Sequence, residues 1–213
     1  KIENISKWVN NNQMVLFPVT NSGYGIGQKE EFCDETSPLN PISHYGHTKV
    51  AAEKTLLNMG NAVTFRLATV FGVSPRMRMD LLVNDFVYRA YKDRFVVLFE
   101  SHFKRNYIHI RDIASVFLHS IENYESMKGD AFNVGLSNAN LSKMELCQKI
   151  KQHLPDFHIF ESEIAEDPDK RNYIVSNEKI EATGWKPMYS LDDGVIELVK
   201  SYKYLNIHHF NNL

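Results

Sequence analysis

Apolar positions along this chain form short continuous runs that alternate with longer stretches of mixed apolar and polar residues. Four runs have the length of a strand and the continuous apolar character of strands covered on both faces, namely residues 14–19, 61–67, 95–99 and 131–135. Four longer stretches are predicted to be helical, namely residues 45–58, 79–91, 111–124 and 142–153. Because strands alternate with helices, the sequence predicts an α/β fold with a largely parallel sheet.

Local signals predict where several helices begin and end. Ser142 and Glu145 form a capping-box pattern at the start of one helix, and Asp112 is expected to cap another. Residues 2–10 are interpreted as the end of an amphipathic helix that stops at a run of asparagines. A last helix is predicted to start within residues 189–194.

Composition narrows the function classes. The 213 residues suffice for one domain, or for a domain with a smaller lobe, and the 24 basic and 26 acidic residues form no long run of either sign. This balance argues against nucleic acid or a membrane surface as the main partner. Cys33 and Cys147 have neither a metal-ligand nor a disulfide-framework spacing, so no metal site is expected. With no apolar stretch long enough to span a membrane and no cationic leader, a soluble cytoplasmic protein is expected.

Three tyrosine–lysine pairs have the i, i+4 spacing that places both side chains on one helix face: Tyr45/Lys49, Tyr88/Lys92 and Tyr124/Lys128. A neighbouring ammonium favours the phenolate form, and a phenolate can act as a general base. Only the first pair has supporting context, because Thr20 and Ser22 precede it at the end of a predicted strand, where a base would meet a substrate. The second pair is expected to serve packing, and the third lies at a helix end that runs into a turn.

A glycine-rich phosphate loop is missing from the sequence. A dinucleotide-binding fold begins with a strand, a glycine-rich turn and a helix whose N-terminus meets the pyrophosphate. The nearest match is at residues 23–27, but a glutamine takes the sixth position, and the loop-like residues 29–38 follow in place of a helix. The sequence is therefore interpreted as the C-terminal two-thirds of a larger unit.

Several segments, in the same order, match motifs of one known family: Thr20-x-Ser22-x-Tyr24-Gly25, Tyr45-x-x-x-Lys49, and residues 66–72, 105–112, 132–135 and 184–187. On these segments the chain resembles the extended short-chain dehydrogenase/reductase family, in its nucleotide-sugar epimerase/dehydratase branch and with UDP-glucose 4-epimerase-like features. The resemblance implies an α/β fold: the C-terminal part of a Rossmann-type parallel sheet with a smaller α/β substrate-binding lobe. It assigns residues 1–75 and 105–138 to the Rossmann part, 76–104 and 139–205 to the lobe, and 206–213 to a tail.

The resemblance also implies roles for the residues around a cofactor. Tyr45 would be the base that removes a proton from a sugar hydroxyl while a hydride passes to NAD, with NADP left open. Lys49 would hydrogen-bond the nicotinamide ribose, and Thr20 would donate a hydrogen bond to the substrate oxygen. Leu67 and Thr69 belong to the strand behind the nicotinamide.

The implied substrate is a nucleotide-diphosphate sugar. Arg105 would bind the diphosphate, because a guanidinium binds phosphate oxygens in a bidentate manner, and Arg171 matches a second family arginine. Phe99 falls where relatives place an aromatic ring against the nucleobase, with a plain core position as the alternative. Ser22 and Thr69 would face the sugar. Relatives commonly dimerise through a four-helix bundle that includes the helix with the tyrosine–lysine pair, so a homodimer is expected.

Two positions favour one reaction within this branch. Related 4,6-dehydratases follow their threonine with aspartate and glutamate as acid and base, whereas this chain has Asn21 and Ser22. We therefore expect a 4-epimerase that works through a 4-keto intermediate, and a 4,6-dehydratase is the disfavoured alternative. A nucleotide 4-ketosugar reductase stays open because residues 67–69 depart from the epimerase pattern. A catalytically silent binding or scaffold protein is the alternative of another class, motivated by the missing phosphate loop.

Overall fold

The structure is a computed structural model that describes residues 2–10, 12–27, 31–162 and 170–205, so the predicted tail at 206–213 lies outside the described residues. The helices are α1 (Ile2–Ser6), α2 (His44–Leu57), α3 (Leu82–Lys92), α4 (Ile110–Glu122), α5 (Tyr124–Met127), α6 (Lys143–His153), α7 (Glu178–Glu181) and α8 (Leu191–Tyr202). The strands are β1 (Val15–Pro18), β2 (Phe32–Cys33), β3 (Ala62–Leu67), β4 (Thr69–Phe71), β5 (Phe95–Phe99), β6 (Lys104–His109), β7 (Ala131–Val134), β8 (Asn140–Ser142), β9 (His158–Ser162) and β10 (Ile174–Val175). A 3₁₀ helix covers Asn21–Tyr24.

The central sheet is parallel, in the order β1-β3-β7, which confirms the predicted α/β class. The residues of β7 are all buried and those of β3 nearly all, as expected for strands with continuous apolar runs. β1 is half-buried along its whole length, which corrects the expectation that both of its faces are covered. Among the described residues, β3 is the strand that pairs with β1, which places β1 at the edge of this sheet.

In the described part of the chain, the other strands form a second three-stranded sheet and two sheets of two strands. β4 pairs in parallel with β6, and β6 pairs antiparallel with β8. β2 pairs with β10 and β5 with β9, both in parallel. β5 coincides with its predicted run, whereas the apolar pattern does not predict β2, β4, β6, β8, β9 or β10. Most of these strands have only two or three residues, and each pairs with a segment that is distant in sequence.

The predicted helices are present, with shifted ends. α1 ends at Ser6, short of the predicted stop at Asn10, and α3 begins at Leu82 and not at residue 79. The capping box of Ser142 and Glu145 at the start of α6 is confirmed, with hydrogen bonds in both directions. Within the described ranges, no helix is long and apolar enough to cross a membrane.

The cap of α4 differs from the prediction. His109 caps this helix, because its imidazole accepts a hydrogen bond from the Arg111 backbone N–H at 3.2 Å. Asp112 lies in the first turn, and its carboxylate accepts from the backbone N–H groups of residues 188 and 189 at 2.8 and 3.1 Å. The buried aspartate therefore fastens the segment before α8 to α4.

Gly194 in α8 lies where two elements approach closely. A Cβ atom added there would be 2.2 Å from Phe71 Cε2 and 3.2 Å from His109 Cδ2. Alanine normally stabilises a helix interior relative to glycine by about 1 kcal/mol. We expect Gly194→Ala to lower the free energy of unfolding by about 1–3 kcal/mol instead, because the methyl group overpacks the core.

Denaturant unfolding followed by circular dichroism measures this change. The matched control is Lys200→Ala on the exposed side of α8, which should stay within about 0.5 kcal/mol of the parent. A Gly194→Ala protein as stable as the parent would contradict the close contact with Phe71.

Candidate active site

A cleft of about 510 Å³ opens where the central strands reach their carboxyl ends. Seven of the predicted site residues line it: Thr20, Ser22, Tyr45, Leu67, Thr69, Arg105 and Arg171. Thr20 follows β1, Leu67 ends β3 and Thr69 begins β4, and this end of a parallel sheet is where α/β proteins bind ligands. The fold thus brings segments that are far apart in sequence to one place, while the role of each residue stays a prediction.

Tyr45 and Lys49 lie in the first turns of α2, which starts where the Ser43 side chain caps it. Tyr45 is 53% exposed and lines the cleft. The Lys49 ammonium donates to the Pro18 carbonyl at 2.8 Å and lies 5.8 Å from the centre of the Tyr45 ring. Burial lowers the pKa of Lys49. Lys49 does not itself line the cleft.

Thr20 and Ser22 present two hydroxyl groups at the edge of the cleft. Their oxygens lie 2.9 Å apart, and Thr20 Oγ1 also accepts a hydrogen bond from the Ser22 backbone N–H at 3.1 Å. The second contact caps the 3₁₀ helix, and Arg171 donates to Ser22 Oγ. Asn21 is buried and does not line the cleft. Because neither Asn21 nor Ser22 is a carboxylate, these two positions supply no acid or base at ordinary pH.

Four cationic side chains line the cleft: Arg78, Arg105, Lys143 and Arg171. Arg105 is 5% exposed, and its guanidinium lies 5.5 Å from the centre of the Tyr173 ring. Among the described lining residues, Asp80 is the acidic one, and Arg78 Nε donates to it at 3.0 Å. The excess of positive charge suits an anion, and guanidinium groups suit a diphosphate in particular.

Sequence motifs assign no role to Arg78, Lys143 or Tyr173, all of which line the cleft. The capping box predicts that Lys143 lies at the start of α6, but not that it lies at the cleft together with Arg105. That placement depends on the antiparallel pairing of β6 with β8, which sets Arg105 opposite Leu141. Arg78 lies in the loop between β4 and α3, and its hydrogen bond to Asp80 raises the pKa of Arg78. A cation in a loop that follows a strand end is the signal that could have identified it.

Phe99 is a predicted site residue that the structure does not place among the cleft-lining side chains. Its carbonyl oxygen accepts a hydrogen bond from the Lys143 ammonium at 2.8 Å, and Lys143 does line the cleft. Phe99 therefore borders the site through its backbone, and contact of its ring with a nucleobase stays a prediction.

The other two tyrosine–lysine pairs lie away from the cleft. Tyr88 packs edge-to-face against Tyr202 with ring centres 5.5 Å apart, which confirms its expected packing role. Tyr124 is buried, and its hydroxyl donates to the Asn61 carbonyl. The spacing alone therefore carries no functional information in this chain.

Comparisons with known proteins agree with this geometry. A family model of NAD dependent epimerase/dehydratase proteins matches residues 3–135. The dTDP-D-glucose 4,6-dehydratase of Mus musculus is 26% identical over 211 residues, covering 92% of this chain and 57% of the relative. The CDP-paratose 2-epimerase of Salmonella typhi is 26% identical over 190 residues, covering 83% of this chain and 56% of the relative.

A solved structure shows the same fold. The dTDP-glucose 4,6-dehydratase of Bacillus anthracis, in complex with NAD, superimposes with a TM-score of 0.80 at 22% identity, covering 97% of this chain and 66% of that one. The chain thus spans less than two thirds of the length of each of these proteins. Their reactions differ from one another, so similarity at this level identifies the family and not the reaction. Because the family model covers more than half of the sequence, the chain belongs to the NAD dependent epimerase/dehydratase family.

Proposed function

We propose that this chain carries the substrate-binding and proton-transfer part of an NAD-dependent nucleotide-sugar 4-epimerase. The observation that carries the proposal is one cleft lined by the Tyr45 ring, by the Thr20 and Ser22 hydroxyls and by three arginines. A base, a hydrogen-bond donor and cations for a diphosphate are the groups that epimerisation requires. No carboxylate occupies the two positions after Thr20, so the acid and base that elimination of water would need are not there.

The residues at the nicotinamide end fit NAD. The Lys49 ammonium is fixed against the end of β1, on the same helix face as the exposed Tyr45 ring, and Leu67 and Thr69 line the adjoining wall. When bound, NAD accepts a hydride from the sugar and later returns it. Lys49 would bind the nicotinamide ribose. Among the described residues no glycine-rich strand-to-helix turn is present for the pyrophosphate, and the choice between NAD and NADP stays open.

Tyr45 is the proton carrier in this proposal. The proton of the sugar C4 hydroxyl passes to the Tyr45 oxygen as hydride leaves C4, and a C4 carbonyl forms. Thr20 donates a hydrogen bond to that oxygen, and the positive charge of Lys49 stabilises the tyrosinate. After the 4-keto sugar has rotated in the cleft, Tyr45 would return the proton to the C4 oxygen, and bound NAD would supply the hydride for the other face of C4. Arg105 and Arg171 would hold the diphosphate while the sugar turns.

Two other reactions of the family remain as alternatives. A nucleotide 4-ketosugar reductase would use the same Tyr45 and Lys49 with reduced cofactor, and Thr69 at a position where many epimerases carry an amide supports it. A 4,6-dehydratase is supported by the similarity to dTDP-D-glucose 4,6-dehydratases, but Asn21 and Ser22 stand where such an enzyme has its acid and base. A silent binding protein is the alternative of another class.

Incubation of the whole protein and NAD with UDP-, dTDP-, CDP- and GDP-sugars tests the proposal. We expect chromatography with mass detection to show a C4 epimer of unchanged mass for at least one sugar. A product lighter by one water would establish a dehydratase, and consumption of a 4-keto sugar with reduced cofactor would establish a reductase. If the protein binds these sugars and converts none, the silent-protein alternative is correct.

The remaining expectations are part of the same proposal. The cleft is lined by Thr20 and Tyr45 from the predicted Rossmann part and by Arg78 and Lys143 from the predicted lobe, and the division at residues 75, 104 and 138 stays a prediction. A homodimer and a cytoplasmic location stay predictions that the resemblance and the composition imply.

A further inference from the structure

A buried polar network centred on Arg66 of β3 lies beside the cleft. Arg66 and Glu53 are 6% and 3% exposed. The guanidinium donates to the Glu53 carboxylate at 2.8, 3.1 and 3.2 Å. Its Nη1 also donates to the Tyr24 hydroxyl at 2.9 Å and to the Glu35 carbonyl at 3.2 Å. Because a guanidinium is a rigid planar fork, this set of partners fixes its orientation.

Tyr24 extends the network to β7. Its hydroxyl accepts from Arg66 and has one proton to donate, with Asn133 Oδ1 at 2.7 Å and the Asp34 carbonyl at 2.8 Å as the acceptors within reach. Burial raises the pKa of Tyr24, although the charge of Arg66 opposes this, so the hydroxyl keeps its proton. Asn133 in turn donates to the Ser176 carbonyl at 3.0 Å. The network is therefore continuous from α2 through β3 to β7.

The helix that carries Tyr45 and the turn that carries Thr20 and Ser22 are both joined to this network. Glu53 follows Tyr45 on the same face of α2, about two turns or 12 Å farther along the axis. Tyr24 closes the 3₁₀ helix that Thr20 caps. One guanidinium thus connects the helix that carries the general base to the turn that carries the hydroxyl groups.

Stability alone does not call for charges at this place. Replacing a buried ion pair with well-packed apolar side chains is often neutral or stabilising, because withdrawing two charges from water is unfavourable. The charged fork adds direction instead, since its bonds reach three separate segments, at Glu53, Tyr24 and Glu35. We propose that Arg66 is a positioning residue, which through Glu53 and Tyr24 holds the general base in register with the two hydroxyls. The inference rests on the proposed function, because the register matters for proton and hydride transfer.

Two substitutions each disturb one connection at nearly constant volume: Tyr24→Phe removes the hydroxyl that Arg66 meets, and Glu53→Gln removes the negative charge and one of the two acceptor oxygens. In the whole protein we expect either to lower kcat by about 10- to 100-fold with KM changed by less than about threefold, because misplacement by an ångström slows chemistry more than binding. The double variant should be little slower than the slower single variant, since both act through Arg66. Tyr124→Phe is the matched control: it also removes a buried tyrosine hydroxyl bond, but away from the cleft, and kcat should stay within about twofold.

Hydrogen–deuterium exchange gives a readout that needs no turnover and applies even if Glu53→Gln does not fold. We expect Tyr24→Phe to speed exchange at residues 20–25 and at 44–50, and Tyr124→Phe to leave both segments unchanged. Unchanged exchange in Tyr24→Phe, a parental kcat in the folded variants, or additive losses in the double variant would each overturn the positioning role. A parent that converts no nucleotide sugar would refute the proposed function instead, and the exchange data would then decide on Arg66 alone.

Discussion

Replacing Tyr45 with phenylalanine should abolish conversion of the nucleotide sugar while leaving its affinity nearly unchanged. The substitution removes only the oxygen that would carry the proton, and the ring that lines the cleft stays in place. A positioned acid–base group contributes about 10²- to 10⁴-fold, so we expect kcat to fall by at least this range and KM to change little. Steady-state kinetics on the whole protein, with binding measured by calorimetry, gives both quantities.

Tyr88→Phe is the matched control for this substitution. Tyr88 has the same i, i+4 relation to a lysine, but it packs against Tyr202 and does not line the cleft. Removing the Tyr88 hydroxyl should leave kcat at the parental value. Substantial turnover by Tyr45→Phe would show that another group is the base, and the function proposed for Thr20 and Lys49 would fail with it.

Removing the guanidinium of Arg105 should weaken nucleotide-sugar binding. Arg105→Met keeps an apolar stem next to Tyr173 and loses the charged fork. A hydrogen bond to a charged group contributes about 1.5–3 kcal/mol, so the dissociation constant should rise roughly 10- to 150-fold. Calorimetric titration with the nucleoside diphosphate alone isolates this contribution, because the sugar is absent from the probe.

Arg89→Met is the control for Arg105. Arg89 is paired with Asp85 on α3, is largely exposed and does not line the cleft, so its substitution should not alter binding. If Arg105→Met bound the diphosphate as tightly as the parent, Arg105 would have a purely structural role beside Tyr173.

The strand β5 and the start of α6 could be predicted because local residue patterns indicate them. The run at residues 95–99 is a strand in full, and Ser142 with Glu145 caps α6 as its pattern indicates. The strands of two or three residues could not be predicted, because they exist through pairing with distant segments. Asp112 failed as a predicted cap for a similar reason: its carboxylate satisfies backbone N–H groups that lie 76 and 77 residues away.

Some residues of the candidate site could likewise be predicted from the sequence, and others could not. Tyr45, Thr20 and Arg105 could be found because each belongs to a sequence motif, and the fold brings them to one cleft. Lys143 could not be identified from the sequence, because the pairing of β6 with β8 decides where it lies. Glu53 looks like a surface residue on a polar helix until its carboxylate is seen to meet Arg66 at 2.8 Å within the core. Buried partners of this kind are invisible to periodicity.

The fate of a deuterium at C4 of the sugar tests the proposed epimerase most directly. The whole protein would be incubated in ordinary water with a C4-deuterated nucleotide sugar of the kind it converts, and the product examined by NMR and mass spectrometry. We expect inverted configuration at C4 with the deuterium still on C4, because the hydride that leaves this carbon returns to it. A product that has lost water, or one with a solvent hydrogen at C4, would contradict a Tyr45-dependent 4-epimerase.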